Sequence, residues 1–403
     1  MKKIYYGKAV YDKKEINAVL NVLRNDSLTL IDGKKVKELE KKVSSLFGKK
    51  YGLMVNSGSS ANLLALSSFN FKKGSEIITP NLTFSTTVAP IYQLGLVPHF
   101  VGADDNKFVT ECSQIEKCIN KKTVALMIPN LLGNIADWKK IYKIANKYKL
   151  KIIEDSADTI GYKVNGKNLG KYSDVTTNSF YASHIINGAG TGGIVCFNDY
   201  KLYEKAKLLR GWGRSSAVFN ESENINKRFN VKISGIDYDA KYIFSDLGYN
   251  FLPSEISAAF ALEQIKKLKN NISIRNKNFE YLKKFFNGYK KYFKLPEQYN
   301  GVKTPWLAFP LVIKKNKKFT RKKMQIFFEK NHIQTRTIFT GNILKQPVMK
   351  NKIYKKHPNC DKIADDVMKN GILLGCHQGM NIRELNYICS TFKKLIGNED
   401  NQN

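Results

Sequence analysis

The chain is short of the residues that would make it a disulfide-stapled, metal-clustered or membrane-spanning protein. Its 403 residues include 6 cysteines. Cys112, Cys118, Cys196, Cys360, Cys376 and Cys389 are scattered without a Cys-x-x-Cys pair, so neither a zinc site nor a disulfide framework is spelled out. They read as reduced core or surface thiols. No run approaches the roughly 18 uninterrupted apolar residues of a spanning helix. The opening MKKIYYGKAV has basic residues but no apolar stretch behind them, so no secretory signal is expected and a cytoplasmic location is. Acidic residues are scarce too: 34 Asp and Glu against 67 Lys and Arg give a formal charge of +33. Clustered, such an excess would suit a nucleic-acid backbone. Here it is mostly lysine, spread along the chain without a dense stripe or a helix-turn-helix, which argues against nucleic acid and leaves a field that attracts small anions.

What is present is alternation. Short apolar runs at 51–56, 76–79, 97–101, 123–128, 151–155 and 193–197 are separated by helical patterns such as 59–69 and 136–149. Strands alternating with helices predict an α/β protein with a mostly parallel sheet covered on both faces. From Pro253 the pattern changes. PSEISAAFALEQIKKL starts with a proline and an N-cap serine, and a second helical stretch follows near 274–289. WLAFPLVI (306–313) and the segment around HIQTRTIF read as strands of a smaller α+β unit. A large domain over 1–265 and a small C-terminal domain over 266–403 are expected, with only the tail GNEDNQN frayed.

Three stretches carry candidate chemistry. In VNSGSSANLLAL, Ser57, Gly58 and Ser59 sit between a strand and a helix, where free amides and the helix dipole favour a phosphate, although a plain N-cap turn has the same pattern. In KIIEDSAD, Asp155 closes an apolar strand, at the edge where open α/β sheets bind ligands. It is either a cap or a buried carboxylate in need of a cationic partner. In SFYASHIINGAGTGG, His184 follows Ser179 by five residues and leads into a glycine-rich turn.

In order, the phosphate turn, NLTFSTTV, EDSAD, SFYASH and GYN, followed by a small C-terminal unit, resemble the sugar aminotransferases of the DegT/DnrJ/StrS family over about residues 5–390. The resemblance implies the fold of pyridoxal phosphate (PLP)-dependent transferases of fold type I, the aspartate aminotransferase-like fold. It also implies that Gly58 and Ser59 hold the cofactor phosphate through their backbone and that Ser179 adds its hydroxyl. Phe84 would lie on the pyridine ring, and Asp155 would keep the ring nitrogen protonated. Asn250 in DLGYN would reach into the neighbouring subunit, which implies a homodimer with shared active sites.

Aminotransferases of this family carry a lysine where this chain has His184, and that lysine anchors the cofactor covalently. Imidazole has no primary amine for the purpose, yet it moves a single proton well near neutral pH. The same substitution marks the nucleotide-linked 4-keto-6-deoxyhexose 3-dehydratases. They are also resembled by EDSAD with Asp158 in place of the usual glutamine, by RGWGR (210–214), by YDAKYIFSDLGYN and by TRTIFTGNILKQP (335–347). Thr191, where those enzymes tend to have glutamate, is a departure that bears on the turn after His184. No cysteine lies between Cys196 and Cys360, so the resemblance favours the cluster-free GDP-sugar kind over the iron–sulfur CDP-sugar kind, with CDP still open. The implied reaction uses glutamate to load pyridoxamine phosphate (PMP). His184 is then the proton-removing base, the C-3 hydroxyl leaves, and a 4-keto-3,6-dideoxy sugar nucleotide and ammonia are released. Arg336 and Lys345 are candidates for the sugar diphosphate or the glutamate carboxylate, or else solvated charges. Arg210 and Arg214 flank Trp212 and could cover the sugar or form a structural stack. His377 reads as a packed histidine. Alternatives are an aminotransferase with an atypical site and a non-catalytic sugar-nucleotide binder, and no metal ligands are expected.

Overall fold

The apolar runs become strands because each is bounded by residues that cannot extend it, and the amphipathic segments between them cover both faces of the sheet they form. The computed structural model describes residues 3–26, 29–164, 166–218 and 224–400. Its main sheet runs Tyr51–Val55, Gly193–Phe197, Val175–Ser179, Lys151–Asp155, Thr123–Pro129, Glu76–Pro80, Val97–Val101 and Lys355–Lys356. All neighbours are parallel except Gly193–Phe197, which is antiparallel to both its partners. Helix Gly58–Ser67 packs on one face, and helices Lys34–Leu46 and Trp138–Tyr148 on the other. Because the central strands are parallel, their carboxyl ends meet at one edge, where the residues following Val55, Pro80, Pro129, Asp155 and Ser179 converge. Among the described residues no helix is long and apolar enough to cross a membrane.

Two strands of this sheet, the short edge strand Lys355–Lys356 and Val175–Ser179, are absent from the sequence reading. Val175–Ser179 (VTTNS) is polar, yet every residue is buried. It is tolerated because its side chains are paired: Thr177 donates to Asn62 at 2.6 Å and Asn178 to the carbonyl of Thr159 at 3.0 Å.

The C-terminal region builds a three-stranded antiparallel sheet from Phe293–Lys294, Phe309–Ile313 and Gly371–Leu374. Its core centres on Phe286, Phe309, Phe328 and Phe392. The predicted helix near 274–289 starts earlier, at Leu268, and ends at Asn287. The stretch HIQTRTIF is not a strand. Positive φ at His332 and Phe339 interrupts it, leaving isolated bridges from Ile333 to Ile4 and from Arg336 to Leu373. The tail is helical through Asp400 rather than frayed, and residues 401–403 lie outside the described residues.

A span from the C-terminal region crosses to the large sheet. Ile343 donates its amide to Asn81 at 3.0 Å, and the span ends as the edge strand Lys355–Lys356, where Lys355 pairs with the buried Glu76 at 2.6 Å.

Helix Lys34–Leu46 begins at Gly33, which has no side chain to cap it. Glu255, fully buried on helix Glu255–Lys266, supplies the cap from a distance. Its carboxylate accepts from the amides of Gly33, Lys35 and Val36 at 2.9, 3.0 and 2.8 Å. Glu255→Ala should therefore cost about 2 kcal/mol, seen as a lower denaturant midpoint with an unchanged slope. An unchanged midpoint would show that the three amides find other partners.

Candidate active site

A cavity of about 980 Å³ opens where the strand ends converge, within the usual range for a ligand site. Its floor is the turn at Ser57. Ser57 caps helix Gly58–Ser67 by accepting the amide of Ser60 at 3.0 Å, which leaves the amides of Gly58 and Ser59 unpaired by side chains of the turn and aimed at the cavity end of the helix dipole. The turn is drawn tight from below. A Cβ on Gly58 would lie 2.5 Å from the Cβ of Ser179, and one on Gly193 would lie 2.5 Å from the backbone of Ser57. Only hydrogen at these two positions lets the turn, Ser179 and the histidine loop meet. The departure at Thr191 is accommodated there, since its hydroxyl donates to the carbonyl of Asn56 at 3.0 Å and Gly190 and Gly192 take the positive φ angles.

Asp155 stands at the cavity wall with both oxygens held. Oδ2 accepts from Asn62 and Thr87, each at 2.8 Å, and Oδ1 accepts the amide of Ala157 at 3.1 Å. Burial nonetheless raises its carboxyl above the ordinary range, against the lowering effect of those bonds. Its three donors are all neutral, so a cation on the cavity side would be its charge partner. Asp158 accepts the amide of Leu132 at 2.8 Å. Burial, with the charge of Asp155 adding to it, pushes Asp158 up to about 7. Leu132 presents that amide from a left-handed conformation, φ 59°, a strain of order 1–3 kcal/mol that the surrounding contacts enforce. Phe84 is 48% exposed, turned into the cavity with its ring edge-on to Phe339 at 5.6 Å.

His184 lines the opposite wall. It is half-buried: protein encloses it except on the cavity side. Nδ1 lies 2.5 Å from the carbonyl of Ala157, an acceptor, so the proton sits on Nδ1 and Nε2 is the free base. Burial pushes the imidazole down to about 4, opposed by the Ala157 bond and aided by the charge of Arg275. It is therefore neutral at pH 7. No lysine lines the cavity among the described residues.

A phosphate cradle at a helix start, a carboxylate awaiting a protonated ring nitrogen and an open space beneath Phe84 together fit pyridoxal phosphate. Gly58, Ser59, Phe84, Asp155, Asp158, Ser179, His184 and Arg336 share this one cavity. Asn250, Arg214 and Lys345 do not line it. Asn250 is exposed and bridges Gly211. Arg214 stacks on Trp212, 4.4 Å from the ring centre, as well as on Tyr242 and Phe244. Lys345 is drawn away to Asp365 at 2.7 Å. Arg210 is buried between Asp32 and Glu40, at 2.5 and 3.2 Å. His377 is packed as expected, with Nε2 3.1 Å from the carbonyl of Tyr5. Sequence reading missed Tyr6, carried into the site when Ile4 pairs with Ile333, and it missed the partners Asn62 and Thr87. Thr87 lay within the NLTFSTTV motif, but nothing local signals Tyr6.

His184 binds a proton in the unfolded chain near pH 6.5 but resists it in the fold down to about 4. The folded state thus holds fewer protons than the unfolded one across that window, and stability is lost as the pH falls through it. A His184→Asn variant, lacking this group, should lose less stability than the parent between these values. Identical acid-side slopes in denaturant titrations at several pH values would contradict the assigned neutral state.

The likeness to known proteins runs the length of the chain. The lipopolysaccharide biosynthesis protein RfbH of Salmonella typhimurium is 33% identical over 89% of this chain and 84% of its own. A GDP-4-keto-6-deoxy-D-mannose 3-dehydratase of Escherichia coli O55:H7 is 33% identical over 96% of this chain and 98% of its own. A solved GDP-4-keto-6-deoxymannose-3-dehydratase with a trapped PLP-glutamate geminal diamine superposes with a TM-score of 0.86 at 30% identity, covering 96% of this chain and 99% of that one. The fold is that of PLP-dependent aminotransferases. With residues 10–393 matching its pattern from the N-terminal helix to the last, the chain belongs to the DegT/DnrJ/EryC1/StrS aminotransferase family.

Proposed function

We propose that this protein is a PLP/PMP-dependent dehydratase that removes the C-3 hydroxyl of a nucleotide-linked 4-keto-6-deoxy sugar, with glutamate as the amino donor. One observation carries the reading: at the cofactor position the cavity presents the free Nε2 of a neutral imidazole and, among the described residues, no lysine. An aminotransferase needs a primary amine there, both to hold the cofactor and to guide protons in its return half-reaction.

The amides of Gly58 and Ser59 and the hydroxyl of Ser179 receive the cofactor phosphate, and Asp155 holds the proton on the ring nitrogen. When bound, the coenzyme supplies an electron-poor ring that accepts the pair released by proton removal beside it. Phe84 covers one ring face, and Asp158 lies alongside on the strand-end loop. His184 takes the proton at the carbon adjoining the ring through Nε2, an acid–base contribution of about 10²- to 10⁴-fold. The C-3 oxygen leaves as water. Overall two electrons pass from glutamate to the sugar carbon, and 2-oxoglutarate, ammonia and a 4-keto-3,6-dideoxy sugar nucleotide are formed. Arg336, whose guanidinium lies 5.8 Å from the ring centre of Tyr6 at the cavity wall, is the cation for the glutamate carboxylate or the sugar diphosphate.

The relatives' GDP-sugar names favour GDP, with CDP as the other possibility. Asn250 and Arg214 belong in this reading to the neighbouring copy's cavity. A homodimer is supported by the exposed apolar side chains around them, Ile225 at 73%, Ile236 at 67% and Leu247 at 93%. We place the enzyme in the cytoplasm and divide it at 265/266 into a cofactor-binding and a C-terminal domain.

Borohydride treatment of the PLP-loaded protein followed by peptide mapping should leave no lysine labelled. With glutamate and GDP-4-keto-6-deoxy sugar, mass spectrometry should show loss of the C-3 oxygen and release of ammonia. His184→Asn should retain cofactor and lose turnover by at least about 10²-fold. An amino-sugar product or a cofactor-labelled lysine would overturn the reading.

A further inference from the structure

Arg275 lies on helix Leu268–Asn287, fully buried and outside the cavity lining, and the reaction above does not use it. Its guanidinium spends its whole donor capacity on neutral oxygens. Nε donates to Oε1 of Gln378 at 2.7 Å, Nη1 to the carbonyls of Leu307 and Trp306 at 3.0 and 3.3 Å, and Nη2 to the carbonyls of Ser183 and His184 at 3.2 and 3.4 Å. Structural burial of a cation is normally offset by a carboxylate. Here carbonyl and amide oxygens accept every N–H and no carboxylate bonds the fork, Asp158 acting on it only through space, so the charge also acts on its other neighbours. The backbone of His184 is thus gripped from behind by Arg275, while its ring is held from the side by Ala157. Leu307, gripped by the same fork, also lines the cavity.

We propose that Arg275 is the positioning residue of the general base: its fork locks the His184 loop to the C-terminal region, and its fixed positive charge behind the ring makes the protonated imidazole a ready donor. This rests on His184 being the base. In the proposed reaction Nε2 of His184 would take the proton of the breaking C–H bond, the bound coenzyme would supply the sink for its electron pair, and the C-3 oxygen would leave. The same proton then completes the departing water, so a base that releases its proton easily serves both halves. Burial and the Arg275 charge act in one direction on His184 and also on His377, on the other side of the guanidinium. The other titratable and charged groups acting on this cluster are Tyr6, Asp158 and Cys376 around the guanidinium, Tyr181 beside the imidazole and Lys8 near His377.

The test compares Arg275→Gln, which removes charge and fork, with Arg275→Lys, which keeps only the charge. In the cofactor-free protein, the imidazole resonance of His184, assigned by its loss in His184→Asn, should titrate at higher pH in R275Q than in the parent. It should stay near the parent value in R275K. With cofactor and substrates, kcat should fall about 10- to 100-fold in R275Q at an unchanged KM, and R275K should recover part of it. A folded R275Q with an unmoved His184 titration and parental kcat overturns the proposal. If R275Q does not fold, R275K carries the test alone: it keeps the charge and loses the fork, and parental kcat in it overturns the locking role. The titration needs no turnover, so its outcome is separate from whether His184 is the base, which H184N turnover decides.

Discussion

The site depends on one hydrogen bond, from Nδ1 of His184 to the carbonyl of Ala157. That acceptor can only receive, so it decides which nitrogen carries the proton and turns the unprotonated Nε2 toward the cavity. The bond also ties the histidine loop to the residue between Asp155 and Asp158, so the base and both carboxylates share one backbone frame. A lysine at the same place would need no such tether, because its position would be set by a covalent link. An imidazole must be held by its neighbours, and the glycines at 58, 192 and 193 allow those neighbours to come close enough.

A second regularity is the way the fold buries charge. Glu255 is matched to three amides, Arg275 to carbonyls and an amide oxygen, and Asp155 to an amide, a hydroxyl and a backbone N–H. Glu154, entirely buried beside Asp155, also accepts from neutral donors, Ser156, Asn130 and the amide of Gly170, with the charge of Lys49 acting on it as well. Neutral dipoles compensate these ions without cancelling them, so each charge still projects a field. Around a cofactor pocket that is useful: Asp155 keeps its need for a cation, and Arg275 keeps its influence on an imidazole.

Much of this was legible in the residues. The apolar strands 51–55, 97–101, 151–155 and 193–197 follow from the apolar runs alone, and Ser57 and Asp155 lie at the carboxyl ends of two of them, where a parallel sheet gathers ligand contacts, while Ser179 and His184 were named from their motif. What escaped was of two kinds. Val175–Ser179 is a buried strand with Val175 as its one apolar residue, because side-chain hydrogen bonds substitute for hydrophobicity, and no one-dimensional pattern records that. Tyr6 and Arg275 meet partners far away in the sequence, and those contacts exist only once Ile4 meets Ile333 and helix Leu268–Asn287 packs against the histidine loop. Lys345 and Arg214 were named from their motifs, and within one copy of the chain they stand outside the cavity lining, Lys345 paired with Asp365 and Arg214 stacked on the ring of Trp212.

The span that leaves the C-terminal region and returns as the edge strand Lys355–Lys356 gives the pocket an unusual kind of wall. It is pinned at Asn81 on one side and at Glu76 on the other, and Ile343, Gln346 and Val348 line the cavity between these anchors. Side chains hung on a bridge fastened at both piers can be exchanged without disturbing either abutment. Such a construction lets a lineage retune which sugar nucleotide it accepts while the histidine, the phosphate turn and the sheet stay as they are.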